Sequence, residues 1–488
     1  MLKIKPKTIT AMNTDFSALL VQLNDLLDAQ HVRTGADTLA FHTDERNRYH
    51  RAPLAVVFPK DAEQVRQIIQ CCSQQNPPVA LIAQGGNTGL VGGCAVLKST
   101  PSIIVNLGRL NQIIDIDPMN QTMTVQAGVT LAQVHQKAAE HQLIFPLSLA
   151  SEASATIGGN LATNAGGTQV LRYGNMRDLC LGLEVVLADG QIWHNLNTLR
   201  KNNTGYDLKH LFIGAEGTLG IITSAVLKLY PQPPECHVAL IASQNLKQLM
   251  QAFEQLRHTF DANLTAFEMI SPYAMTLVCQ HLHCAHPWEK TDGQTLYSAL
   301  VEISPSHAND DLDAFNMQLN QLIENQVLDN AVLANSLKQS EHLWQLREQI
   351  SAAQKAIGKN IKHDVSVPIS AIAPFITQTE AALEQAFPGI QPVVFGHIGD
   401  GNVHFNVSAG SAFADNDALM THELAVNEIV YQQVRQFHGS ISAEHGIGLL
   451  KRERMNDIKS PVELQLMRAI KHALDPLNLM NPHKVLPE

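Results

Sequence analysis

Residues 395–406 read FGHIGDGNVHFN, with His397 and His404 on either side of a Gly-Asp-Gly-Asn segment. A tight turn at Asp400-Gly401 would pair Ile398 with Val403 and set His397 directly across from His404. Directly opposed residues of an antiparallel pair have Cβ atoms about 5 Å apart and point to one face, so two neutral imidazoles there can share a divalent cation. Asn406, two residues beyond His404, faces the same way. For an isolated pair of this kind the plainer reading is two half-buried histidines covering a sheet. A second element weighs against that reading: ISAEHGIG, at 441–448, puts Glu444 and His445 side by side ahead of two glycines. Two histidines and a carboxylate with an open position form a metal set that suits zinc first, and also manganese, iron or cobalt.

Further groups could hold an acid. In LWQLREQISAAQ, Arg347 and Ser351 stand at i and i+4, on one face of a helix. In NIKHDVSVP, Lys362 falls on an expected strand. An arginine fork matches a carboxylate in bidentate fashion, although an exposed helix arginine in a surface ion pair is the plainer reading. CQHLHCAH, at 279–286, looks like a metal cluster. Its Cys279, His283 and His286 share a stripe only if the helix runs on toward Pro287, and no partner ligands lie nearby, so we read a surface segment.

Three glycine tracts stand in the first half: AQGGNTGLVGG at 83–93, TIGGNLATNAGG at 156–167 and GAEGTLGIIT at 214–223. The first lacks the G-K-[ST] of a P-loop and the G-x-G-x-x-G of a dinucleotide fingerprint. Glycines nevertheless let backbone N–H groups converge on an anion. Three such tracts suit a long, flat, multiply anionic ligand, for which a dinucleotide is the natural candidate.

The elements that must carry these residues follow from pattern. An amphipathic helix leads, with Phe16, Leu19, Leu20, Leu23, Leu26 and Leu27 at helical spacing. LAVVFP reads as a strand, Asp61 caps the helix AEQVRQIIQCC, and VALIA is a second strand before the first glycine tract. A helix starts at Thr130, and LGLEVVLADGQIW is a hairpin centred on Asp189-Gly190. The prolines 231, 233 and 234 mark a boundary, after which helical stretches alternate with isolated strands.

A chain of 488 residues exceeds the usual size of one hydrophobic core, so more than one domain is expected. The net charge of -11, with no dense basic block, argues against nucleic acid as a partner. Seven scattered cysteines fit reduced thiols better than a disulfide framework. The mildly basic start lacks an apolar signal core, and no run approaches a membrane span. A cytoplasmic protein is expected, with peripheral membrane association left open and Met12 as an alternative start.

QGGNTGLVGG, IGGNLATNAGG, LRYGNMRDLCLGLEVVLADG and NNTGYDLKHLFIGAEGTLGIIT closely resemble the FAD-binding domain of vanillyl-alcohol oxidase type flavoenzymes. Within them they resemble the branch of FAD-linked D-2-hydroxy-acid dehydrogenases, from about Arg48 to the C-terminus. The resemblance implies an α+β fold: a two-part FAD-binding domain, 1–234 and a returning segment 450–488, with an inserted α+β substrate cap, 235–449, built on an antiparallel sheet. It implies that Gly85, Gly86, Asn87, Thr88 and Gly89 wrap the FAD pyrophosphate. It gives the rest of the cofactor to Gly158, Gly159, Asn160, Thr163, Asn164, Gly166, Gly217, Ile222 and Asn481. His397, His404 and Glu444 then hold the metal, His445 is the base, and Arg347, Ser351, Lys362 and Asn406 bind the acid.

Some relatives tether the flavin through a histidine where this chain has Asn87 and Thr88, so non-covalent FAD is expected. His483 stands where a glycine is common. The implied reaction oxidises a D-2-hydroxy acid by hydride transfer to flavin N5, with D-2-hydroxyglutarate ahead of D-lactate because several anchors suit a dicarboxylate. The electrons would pass to an electron-transfer flavoprotein or a quinone, and a homodimer is left open. A metal-dependent hydrolase with merely structural glycines, or a flavin-fold binding module, are the rival readings.

Overall fold

The computed structural model describes residues 15–288, 296–305 and 312–488; the start-site question at Met12 lies outside them. The leading helix is Ser17–Leu27, burying Leu19, Leu23 and Leu27. It packs beside a four-stranded sheet in the order Val32–Arg33, Ala55–Val57, Ser102–Asn106, Ala80–Gln84. Ala55–Val57 and Ala80–Gln84 both pair with Ser102–Asn106 in parallel. The helix Ala62–Ser73 links them, and its N-cap Asp61 accepts the Gln64 amide. A parallel sheet is buried on both faces, which is why these strands read as continuous apolar runs.

A second, antiparallel sheet of five strands runs Ile113–Asp117, Thr122–Gln126, Ile221–Lys228, Cys180–Val186, Ile192–Asn195. The last two form the expected hairpin, with Val186 opposite Ile192 and Gly190 at φ 84°. The second glycine tract does more than turn. Its residues Ile157–Thr163 form a short helix whose backbone amides at Gly158 and Asn160 bond Ala127 O and Thr156 O.

The second half builds a fully antiparallel seven-stranded sheet. Its order is Asn330–Leu333, His237–Ser243, Tyr297–Ile303, Leu264–Ile270, Gln391–His397, Asn402–Ser408, Asp364–Ser366. One face packs the largest core, where Phe267, Met269, Val365, Val394, Val403, Phe405 and Val407 meet helices such as Leu246–Phe260 and Ile372–Ala386. Side chains alternate across a strand, so Glu268, Asp364, His404 and Asn406 must project from the opposite face. That face is apolar where the helices Pro272–Leu282, Leu337–Glu348 and Ile350–Ala356 cover Val393 and Phe395. Its remainder is a dense polar patch.

After residue 450 the chain packs back onto the first half. Leu81 N–H donates to Leu479 O (2.8 Å) and Asn481 N–H to Leu81 O (2.8 Å), extending the edge of the four-stranded sheet. No helix among the described residues is long and apolar enough to cross a membrane. CQHLHCAH forms no metal cluster there: its helix ends at Leu282, His283 takes a left-handed conformation, and Cys279 is buried.

Candidate active site

The histidine hairpin folds with a register different from the expected one. Phe395, not His397, lies opposite His404, and residues 398–401 make the turn. Ile398 is drawn into the core rather than paired with Val403, and Asp400 Oδ1 accepts the Asn402 amide (3.1 Å), which widens the loop. A slip of two residues preserves the face, whereas a slip of one would invert it. His397 is therefore a diagonal neighbour of His404, with ring centroids 5.5 Å apart.

Glu444 joins them from the loop between residues 440 and 450. Donor atoms of His397, His404 and Glu444 all lie within 4.8 Å of one another, and His397 Nε2 is 3.6 Å from Glu444 Oε1. Ligands about 2.1 Å from a tetrahedral zinc are about 3.4 Å apart, so the set needs only a small contraction to close on a cation. His397 is already oriented for this. Its Nδ1 lies 2.6 Å from Glu268 Oε1, so Nδ1 keeps a proton and Nε2, turned toward Glu444, is the nitrogen left to ligate once a cation displaces its own proton.

Glu268 also accepts Arg347 Nε at 2.8 Å. Burial raises the Glu268 pKa, but His397 and Arg347 outweigh it and hold the carboxyl below its usual value. The same carboxylate overrides the burial of His397 and lifts that imidazole to about 9 in the metal-free protein. Burial pushes Glu444 up to about 7, against the pull of His397.

A second buried acid, Asp364, organises the other side. Its Oδ2 accepts the amides of Glu444 (2.9 Å) and His445 (2.8 Å), and its Oδ1 accepts Asn402 Nδ2 (2.9 Å). His404 Nδ1 and His445 Nδ1 approach it at 3.7 and 3.6 Å. Asp364, His404 and His445 also meet the distance test for a cation. Three hydrogen bonds already occupy that carboxylate, so we read it as the group that orients both rings. Burial, reinforced by Lys451, Arg46 and Lys362, depresses His445 to about 4, and Asp364 only partly opposes this. That depression favours a neutral His445 imidazole at physiological pH.

Of the acid anchors, Arg347 is buried, with its guanidinium 4.9 Å from the Phe395 ring. Among the described residues its Nη groups make no hydrogen bond. The helix is interrupted at Gln349, and Ser351 is exposed on Ile350–Ala356, so the single continuous helical face is not formed. Lys362 sits between the bridge residue Ile361 and the strand Asp364–Ser366, half-buried, its pKa lowered by burial and by Arg46 and Lys355. Asn406 is buried, and its Nδ2 donates to Gln354 Oε1 (2.8 Å).

The glycine tracts interlock. A Cβ on Gly85 would fall 2.1 Å from Thr156 Oγ1, and one on Gly86 1.9 Å from Ser154 O, so the first tract packs tightly against the start of the second and the residues leading into it. Beside Gly89 the space is open. Asn87 takes φ 55° and donates to Thr43 O, while Thr88 is half-buried beside it. Thr163 Oγ1 bonds Gly159 O, and Asn164 Oδ1 accepts the Arg177 amide. Ile222 is buried on its strand, and Gly217, at φ 72°, faces Ala83 and Asn481. Among the described residues, Thr156 Oγ1, Asn160 Nδ2 and Asn481 Oδ1 are buried without a partner. Buried polar atoms left unpaired are costly, and three of them in one cradle fit a polar ligand lying along these loops. The two sites adjoin: a Cβ on Gly166 would fall 2.9 Å from Glu444 Oε1.

Comparison with known proteins gives the family. Residues 53–195 match the FAD binding domain family and 232–485 the FAD linked oxidases, C-terminal domain. The chain belongs to the FAD-linked oxidase family. It is 38% identical to a D-2-hydroxyglutarate dehydrogenase of Xanthomonas citri pv. viticola, over 96% of each chain. It is also 38% identical to the mitochondrial D-2-hydroxyglutarate dehydrogenase of Rattus norvegicus, over 88% of this chain and 77% of that one. In fold it resembles p-cresol methylhydroxylase, with a TM-score of 0.76 at 19% identity over 96% of each chain. It is likewise similar to 4-ethylphenol oxidase from Gulosibacter chungangensis, with a TM-score of 0.71 at 18% identity over 97% of this chain and 98% of that one. The fold is that of the vanillyl-alcohol oxidase type flavoproteins, and the chain is an FAD-dependent dehydrogenase.

Glu268 and Asp364 escaped the sequence reading. Each is a lone acid at an inward strand position, which is costly unless paired, and that was the available signal.

Proposed function

We propose that this dehydrogenase oxidises a D-2-hydroxy acid to the 2-oxo acid, with D-2-hydroxyglutarate preferred over D-lactate, using non-covalent FAD and a divalent metal, zinc first. The observation that carries the reading is the closeness of the cradle to the proposed metal set: a Cβ on Gly166 would fall 2.9 Å from Glu444 Oε1. We assign the flavin to the two-part unit of 1–234 and 450–488, and the metal and substrate groups to 235–449.

Bound FAD would supply the hydride acceptor, and His397, His404 and Glu444 would hold a cation that would lower the pKa of the substrate hydroxyl. His445 takes the hydroxyl proton at Nε2, the nitrogen turned from Asp364, and Asp364 steadies the resulting imidazolium. Arg347 and Lys362, with Ser351 and Asn406, bind the carboxylates. Among the described residues, neither Arg347 Nη nor Lys362 Nζ forms a salt bridge, and the two carboxylates of a dicarboxylate could pair with one each. The dehydrogenases of Xanthomonas and rat named above act on D-2-hydroxyglutarate by their names, which supports the same choice here. An electron-transfer flavoprotein in the cytoplasm, or a membrane quinone reached by peripheral association, would reoxidise the flavin.

An anaerobic screen of flavin bleaching by D-2-hydroxyglutarate, D-malate and D-lactate, with and without chelator, tests this. The dicarboxylates should bleach fastest, and chelator should stop them. Bleaching by none of the three removes the substrate class; bleaching unaffected by exhaustive chelation removes the metal.

A further inference from the structure

The segment that carries Glu444 and His445 is suspended between two carboxylates from opposite parts of the chain. Asp364, on the seven-stranded sheet, takes the amides of 444 and 445. Glu216, on the third glycine tract, takes the next pair beyond Gly446: Oε1 accepts Ile447 N–H (2.7 Å) and Oε2 accepts Gly448 N–H (2.8 Å). Carboxylate bonds to backbone amides are charge-assisted and hold geometry tightly.

Glu216 is itself tied into the cradle. Its amide donates to Ala162 O (2.8 Å), and its carbonyl accepts Asn481 Nδ2 (2.8 Å). It adopts φ 50°, a left-handed conformation that the surrounding bonds must enforce. Gly446 faces it at φ 82°, and a Cβ there would fall 2.8 Å from Glu216 Oε1. Gly448 and Leu449 press onto Val91, on the first tract, where Leu449 N–H meets Val91 O at 3.0 Å. The third tract thus grips the loop of the metal carboxylate directly, through one side chain.

We propose that Glu216 is a positioning residue that couples the two sites, so that flavin in the cradle tightens metal binding at Glu444 and metal in turn tightens flavin. Coupling between bound groups is reciprocal: whatever factor one exerts on the other's affinity is returned. The inference rests on the metal reading of His397, His404 and Glu444 given above.

Two variants probe the clamp from its two sides. Glu216→Gln keeps the shape but opposes an NH2 donor to one of the two amides. Gly446→Ala leaves Glu216 intact and forces the loop off it. In the FAD-loaded enzyme, zinc affinity is read by chelator competition, and flavin release on heating is followed by fluorescence with and without zinc. In the wild type, zinc should raise the flavin-release midpoint. Both variants should hold zinc about 10-fold or more weakly and lose most of that rise while still carrying flavin. A general loss of stability would lower the midpoint without removing the response to zinc.

If both variants keep wild-type zinc affinity and the full response, the coupling role is wrong while the metal site stands. If the wild type itself takes up no zinc that His397→Ala removes, the metal reading fails and the clamp falls with it.

Discussion

Arg347 and His397 bind opposite oxygens of one buried carboxylate: Arg347 Nε meets Glu268 Oε2 at 2.8 Å, and His397 Nδ1 meets Oε1 at 2.6 Å. A proposed substrate anchor and a proposed metal ligand are thus set by one side chain. Glu268→Gln would present an amide NH2 to one of them and loosen both. Metal affinity should fall by about 10- to 100-fold, the usual effect of removing a group that orients a ligating histidine, and KM for the acid should rise with it. Unchanged metal affinity, measured by chelator competition, would separate His397 from the metal.

Metal uptake should depend on pH through the same pair. In the metal-free protein Glu268 lifts His397 to about 9, so at neutral pH a cation must displace its proton. Zinc affinity should therefore climb as pH rises toward about 9 and flatten above it. The stabilising His397–Glu268 charge pair runs in the opposite sense. A folded-state pKa above the unfolded 6.5 contributes stability fully below about pH 6.5, and this is lost as pH rises through about 9. Thermal unfolding of the metal-free protein across this range checks the sign.

Much of this was legible in the sequence, for physical reasons that differ by element. Asp61 and Thr130 cap their helices as their types and spacing require, and the Asp189-Gly190 hairpin closes where a left-handed glycine allows it. The two histidines share a face because period-two alternation survives a register shift of two. The shift itself was illegible, since the burial of Ile398 is decided by helices distant in sequence. The roles of Glu268, Asp364 and Glu216 were equally hidden: each acts through partners 38 or more residues away.

Two glycines of the first tract should respond differently. Gly86→Ala drives a Cβ into Ser154 O and should lower the melting temperature even without flavin. Gly89→Ala meets only open space and should melt normally without flavin, yet bind FAD more weakly because the proposal gives that space to the cofactor. Equal FAD affinity in Gly89→Ala and wild type, by fluorescence titration, would move the pyrophosphate elsewhere.

With Asn87 and Thr88 at the tethering positions, acid precipitation should leave the yellow colour in the supernatant. Flavin retained in the washed precipitate would show a covalent link at some other residue.

The most direct measurement is the rate of anaerobic flavin reduction by D-2-hydroxyglutarate in His445→Ala, with zinc and FAD content assayed on the same sample. Both contents should stay at wild-type level while reduction slows by about 10²- to 10⁴-fold, the range for loss of a positioned base. Reduction at the wild-type rate in a variant carrying full zinc and FAD would contradict the assignment of His445 as the base.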